Sequence, residues 1–259
     1  MEKFHDFLAC LRFFSRLPIP VLKGEVDPHG AAIFVRALAL APFAGAVLGL
    51  CGGVVLVFAR ALGAPPNVAA LLALACAALL TGAMHEDGLA DVADGFGGGS
   101  SRERKLEIMR DSRIGAYGAT ALILGFGLRA AALAALAVAP GRALLVMIAA
   151  GAVSRAACLA PLVLLPPARA DGAGGAASAL TQAQARPAFL AALAFAALPG
   201  FAGAGLFACA GALALAAAGV YGLCLLARAQ IGGQTGDVAG AAQQVAEIAL
   251  LCVFSGVFG

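Results

Sequence analysis

Apolar stretches close to the ~20 residues needed to cross a bilayer recur at 37–59, 66–85, 117–138, 143–165, 187–206, 208–227 and 243–258. In lipid a segment must satisfy its own backbone hydrogen bonds, so such stretches have to be helices. The expected fold is an all-α integral membrane protein, a polytopic bundle of about six or seven transmembrane helices in one domain covering 1–259. Composition agrees: 62% of residues are apolar and 12% charged, against roughly 25% charged in soluble domains. Two stretches are weaker. The one at 187–206 is interrupted by Pro199 and Gly200, and the last is short and contains Glu247, so either can be re-entrant or interfacial. Alanine and glycine fill the spans, which suits close helix packing, although a GC-rich coding bias gives the same excess. Residues 1–20 mix Glu2, Asp6, Arg12 and Arg16 through apolar positions, unlike a cleavable signal. This Phe-rich amino terminus, 1–30, reads as a helix lying on the membrane surface.

Cations set the expected orientation. Lys3, Arg12, Arg16 and Lys23 precede the first stretch, and Arg102, Arg104, Lys105, Arg110 and Arg113 follow the second, so both regions should be cytoplasmic. Arg169, Arg186 and Arg228 then fall on the same side, with Arg60 and Arg142 opposite. A net charge of +3 is too small, and its cations too local, to argue for nucleic acid as a partner, and none is expected. The cysteines form no C-x-x-C pair and read as small buried apolar side chains. His5, His29 and His85 are too scattered for a zinc site; His85 alone adjoins the acidic run described next, where it is a candidate for a supporting role.

E-D-G-L-A-D-V-A-D, Glu86 to Asp94, puts four carboxylates within nine residues at the mouth of an apolar segment. If the run is helical, Asp87, Asp91 and Asp94 stand at i, i+4 and i+7, roughly 0°, 40° and 340° around the axis, on one face. Three anions on one face repel, and a hard cation such as Mg²⁺, held by one or two carboxylates and completed by water and phosphate, relieves that repulsion. The segment 86–116 should form a cytoplasmic catalytic loop of two helices. The first would end at Gly95, and Ser100 or Ser101 would cap the second. In the D-S-R-I-G-A-Y-G that follows, Asp111 can complete a metal site and Arg113 can clamp a phosphate.

Charges inside apolar stretches are functional candidates by default. Among Arg36, Arg129 and Arg155, the last is the best placed to reach an anionic ligand; the alternative is a structural partner for a buried carboxylate. In I-G-G-Q-T-G-D, Ile231 to Asp237, the glycines bring backbone N–H groups near an anion and Asp237 adds a ligand or base. No P-loop and no G-x-G-x-x-G is present, so phosphate would be bound by metal and arginine.

R-L-P-I-P at Arg16–Pro20, E-D-G-L-A-D-V-A-D-G at Glu86–Gly95, R-E-R-K-L-E-I-M-R-D-S-R-I-G-A-Y-G at Arg102–Gly118, Ser154-Arg155 and G-G-Q-T-G-D at Gly232–Asp237 occur in this order. In these motifs, over nearly its whole length, the chain resembles the cobalamin synthase family of adenosylcobinamide-GDP ribazoletransferases; Glu86 and Gln234 are atypical of it. The resemblance implies the last step of nucleotide-loop assembly in cobalamin synthesis, at the bacterial inner membrane. Adenosylcobinamide-GDP and α-ribazole, or its 5′-phosphate, would give adenosylcobalamin, or its 5′-phosphate, and GMP. It further implies Mg²⁺ on Asp87, Asp91 and Asp94 with Glu86 beside them, and Arg113 and Arg155 on the leaving group. Asp111 or Asp237 would act on the ribose 3′-hydroxyl, and Arg16, Arg110, Gly232, Gly233 and Thr235 would contact substrate. Self-association, or association with other enzymes of the pathway, is compatible with the small-residue surfaces. The alternatives are a CDP-alcohol or prenyl-diphosphate transferase using the same aspartates and, from another class, a cation-coupled transporter.

Overall fold

In a computed structural model, residues 2–25, 30–169, 175 and 177–259 are described; His29 and the rest of 26–29 in the expected amino-terminal segment lie outside them. The described residues are helical, with no strand and one isolated bridge, between Pro167 and Gln234. Among the described residues five helices are long and apolar enough to cross a membrane: α3 (Ala41–Ala61), α7 (Ala116–Leu136), α8 with its continuation α9 (Pro140–Ala157, Leu159–Leu164), α11 (Gly205–Ile231) and α12 (Gly236–Phe258). A sixth crossing exists if α4 (Pro66–Thr81) and α5 (Met84–Gly98), bent by 89° at their junction, count as one broken span. Exposed Phe58, Leu79, Ile123, Phe201 and Phe207 give these helices an outer surface suited to lipid.

Two expected boundaries change. The stretch at 187–206 is not one crossing helix. Helix α10 (Gln182–Ala196) stops after 15 residues, and a π-helical turn at Gly200–Ala204 with Gly203 at φ 98° leads into α11. At 1.5 Å per residue α10 is ~22 Å long, short of the ~30 Å hydrocarbon core. The last helix, by contrast, begins at Gly236 and runs 23 residues, because Thr235 caps it by accepting from Val238 N–H at 3.3 Å. The amino-terminal helix α1 (Glu2–Phe14) buries Cys10, Leu11 and Phe14 against α2 (Ala31–Leu38) and α3. Phe4 on the same helix stays exposed, and Asp6 bonds Arg36 of α2 at 3.1 Å.

Helix α12 is central, packing on α5, α7, α8 and α11, while α3 and α8 form the tightest pair. That tightness has a sequence cause. Gly45, Gly49 and Gly53 recur at i, i+4 and i+8 on α3, and a Cβ on Gly45 or Gly49 would overlap the backbone of Gly151 or Met147 on α8. Small residues at this spacing let two helix backbones approach, so the packing reading of the glycine content holds at this contact. Gly45→Ala should lower stability by about 1–3 kcal/mol, the usual cost of overpacking. Gly127→Ala, which meets open space, should be neutral; thermal unfolding of both in detergent checks the contrast.

Candidate active site

The site is built where α4 gives way to α5. Gly82 and Ala83 are consecutive left-handed residues, φ 66° and 57°, and the second is a conformation that costs an alanine about 1–2 kcal/mol. The bend sends the acidic run across the end of the bundle as one helix, which continues through Gly98, past the expected end at Gly95. Ser101 then caps the short helix α6 (Arg102–Ile108), accepting from Arg104 N–H at 3.2 Å.

The four carboxylates of the run separate into two kinds. Asp87 is exposed and Asp91 half-buried. Both line a groove of about 530 Å³ whose opposite wall carries Arg110, Asp111 and Arg113. Neither makes a hydrogen bond or ion pair among the described residues; the charges nearest Asp91 are Asp87, Asp237 and Asp94, with Arg169 as the cation. Asp94 and Glu86, expected as further metal ligands, each have a partner of their own, although Glu86 also borders the groove. Asp94 is buried and caps α7, accepting from Gly115 N–H at 2.7 Å and Gly118 N–H at 2.8 Å. A helix amino terminus with unpaired N–H groups satisfies a carboxylate as a cation would. Any Cβ at Gly115 or Gly118 would collide with that carboxylate, which accounts for both glycines of R-I-G-A-Y-G.

Glu86 is buried against Arg129, 2.9 Å away. Arg129 also faces Glu247 at 3.4 Å, and Arg155 reaches the other oxygen of Glu247 at 3.0 Å. Ser154 and Gln243 complete this inner network. Two arginines and two glutamates cancel inside the bundle, so Arg155, expected on the leaving group, is a structural partner here. Glu247 was the overlooked residue, and its signal was its place inside an apolar stretch.

Asp237 comes to the site from the amino terminus of α12. Gly88, next to Asp87, admits it: a Cβ there would lie 2.8 Å from the Asp237 carbonyl oxygen. Asp237 Oδ2 accepts from Arg169 Nη2 and Thr235 Oγ1, both at 3.1 Å. Arg169 had no motif to announce it. The turn before Asp237 is scaffold. Gly232 ends α11 at φ 75°, and Gly233 lies against the Pro166 carbonyl. Gln234 N–H donates to that carbonyl at 2.9 Å, and Ala168 N–H donates back to Gln234 at 2.8 Å. Thr235 is buried as the helix cap. Gly233 and Thr235, expected to contact substrate, are thus buried in the turn that holds Arg169 beside Asp237, while Gly232 is exposed. Arg16 lies over Gly82 at the bend.

On the far wall Arg113 grips Asp111, Nε to Oδ1 at 3.0 Å and Nη2 to Oδ2 at 2.6 Å. These bonds hold the exposed Asp111 carboxyl down at about 2.

Among the described residues no three of His, Cys, Asp and Glu converge as a ready-made metal cage. Two open carboxylates, Asp87 and Asp91, with Asp237 nearby, do fit a hard cation that takes one or two carboxylates and completes its shell with substrate phosphate.

The family model for cobalamin-5-phosphate synthase matches residues 6–255. The chain belongs to that family. Its relatives include proteins named adenosylcobinamide-GDP ribazoletransferase from Azorhizobium caulinodans, 50% identical over 95% of this chain and 93% of the relative, and from Bradyrhizobium diazoefficiens, 47% identical over 97% and 95%. A third, from Mesorhizobium japonicum, is 46% identical over 96% and 92%. No solved structure matches. Membership puts the groove, the bend that presents it and the α12 amino terminus in an enzyme family that joins two large polar metabolites.

Proposed function

We propose that this chain is an adenosylcobinamide-GDP ribazoletransferase: it moves the adenosylcobinamide phosphoryl group from adenosylcobinamide-GDP to α-ribazole or its 5′-phosphate and releases GMP. The observation that carries this reading is the pair of unpaired carboxylates, Asp87 and Asp91, facing Arg110 and Arg113 across a groove in a chain of this family. Phosphoryl transfer asks a protein mainly to position the reactants and neutralise charge. Asp87 and Asp91 would hold Mg²⁺, which when bound neutralises diphosphate oxygens. Arg110 is placed for the phosphates, and Arg113 for the leaving GMP once it releases Asp111. Asp237 is the better base for the ribose 3′-hydroxyl: a carboxylate held at about 2, as Asp111 is, takes a proton too weakly at neutral pH. The cation bias of the loops supports a cytoplasmic groove and, for a bacterial chain, the inner membrane.

The test is turnover in liposomes with adenosylcobinamide-GDP and α-ribazole, with and without Mg²⁺, following GMP and the cobamide by mass. Metal-dependent appearance of both products is expected; reaction with CDP-alcohols or prenyl diphosphates instead would overturn the reading. The pH dependence of the same assay has a defined sign at Asp111. Its folded-state value is depressed, so the bond to Arg113 is fully present above the unfolded value of about 3.9 and is lost only as pH falls through about 2. Asp111→Asn should therefore leave both limbs of the rate profile between pH 6 and 9 where they are.

A further inference from the structure

We propose that the apolar cavity behind Asp87 seats the heteroaromatic base of the acceptor nucleoside, with His85 as its hydrogen-bonding partner; the inference rests on the transferase reading above. The cavity, about 310 Å³, is a hollow distinct from the groove, and Asp87 belongs to the walls of both. Phe13, Phe14, Phe34, Leu38, Leu159 and Leu162 line it, while Asp87, Asp237 and Arg169 supply its polar part. Such a mostly apolar hollow with a few convergent polar groups is the usual form of a small-molecule site.

His85 is the second, independent sign. Its side chain is 2% exposed and lines the cavity, yet neither ring nitrogen has a hydrogen-bond partner among the described residues. The ring stacks on Phe14 with centroids 5.8 Å apart and planes 14° from parallel, so its plane is fixed. Among the described residues, His85 is the side chain both of whose polar atoms are buried without a partner; such a group calls for an explanation, and a ligand nitrogen is one.

The ligand that matches is flat, apolar and carries one nitrogen acceptor. The benzimidazole of α-ribazole is that: its methylated carbocycle suits phenylalanine and leucine walls, and its free ring nitrogen can accept from the His85 N–H. Guanine, the base of the donor, has several edge donors and acceptors that these walls would leave unpaired, and each carries a desolvation cost that no hydrogen bond offsets. With the base inside, the ribose would emerge at Asp87 and Asp237, beside the groove that takes the diphosphate.

The test varies the two substrates independently in liposomes. His85→Leu should raise the KM for α-ribazole about tenfold, the scale of one lost hydrogen bond, and leave the KM for adenosylcobinamide-GDP within about twofold. His85→Gln, which keeps an N–H donor, should recover part of the loss, and Leu162→Trp, which fills the cavity, should weaken the acceptor further. Without any variant, free dimethylbenzimidazole should inhibit the wild-type enzyme competitively against α-ribazole and not against the donor. Competition against the donor, or an unchanged acceptor KM in folded variants that form product, overturns the cavity assignment and leaves the transferase standing. A wild-type protein that forms no product overturns the transferase reading and this one with it.

Discussion

Asp91→Asn is expected to lower turnover by on the order of 10²-fold or more at saturating Mg²⁺, while the protein stays folded. Asp91 is half-buried, has carboxylate neighbours and makes no hydrogen bond among the described residues, so its charge contributes nothing to the fold that a neutral amide would forfeit. Losing one ligand of a cation that neutralises a transferring phosphoryl group costs several kcal/mol of transition-state stabilisation. Asp94→Asn is the internal comparison. Its carboxylate accepts from Gly115 and Gly118 at the start of α7, and the amide can replace only one of those acceptors. It should lose about 1 kcal/mol of stability and retain much of its turnover. Paired rate and unfolding measurements separate the two roles; a large rate loss at Asp94 with unchanged stability would return that residue to the metal site.

Arg129→Met should be the most damaging change to the fold. It leaves Glu86 buried with no cation and Glu247 with only Arg155, and breaking a buried pair from one side costs about 3–5 kcal/mol because the remaining charge is uncompensated. The double change Arg129→Met, Glu86→Leu removes both charges and should recover a good part of the loss. Thermal unfolding of the single and double variants in detergent checks this. A single variant as stable as the parent would mean that water reaches the network.

Which parts of this architecture could be read from the chain follows from what side-chain pattern can encode. The apolar stretches and the small residues of α3 marked lipid-crossing helices, since length and hydropathy act locally. Asp87, Asp91, Arg110, Asp111 and Arg113 were singled out by charge, and the structure gathers them around one groove. Helical spacing could not tell Asp94 from Asp87, because both point the same way on an isolated helix; the amino terminus of α7, 21 residues further on, decides between them. Likewise Arg155 read as a ligand-binding charge until its partner was known, and that partner lies 92 residues away. Arg169 carried no local signal at all, being positioned by the backbone pairing of Gln234 with Pro166 and Ala168.

Glu86 and Asp87 are adjacent in sequence and both border the groove, yet they are held differently: Glu86 is buried against Arg129, and Asp87 is exposed with no hydrogen bond among the described residues. Helix α5 consequently has no rotational slack. Turning it to bring Asp94 toward a substrate would tear Glu86 from its arginine, and sliding it would drive Gly88 into the start of α12. Closure around the two substrates would then fall to the segment after α6 that carries Arg110 and Arg113, since α6 is itself tied through Arg102 to the Ile231 and Ala168 carbonyls.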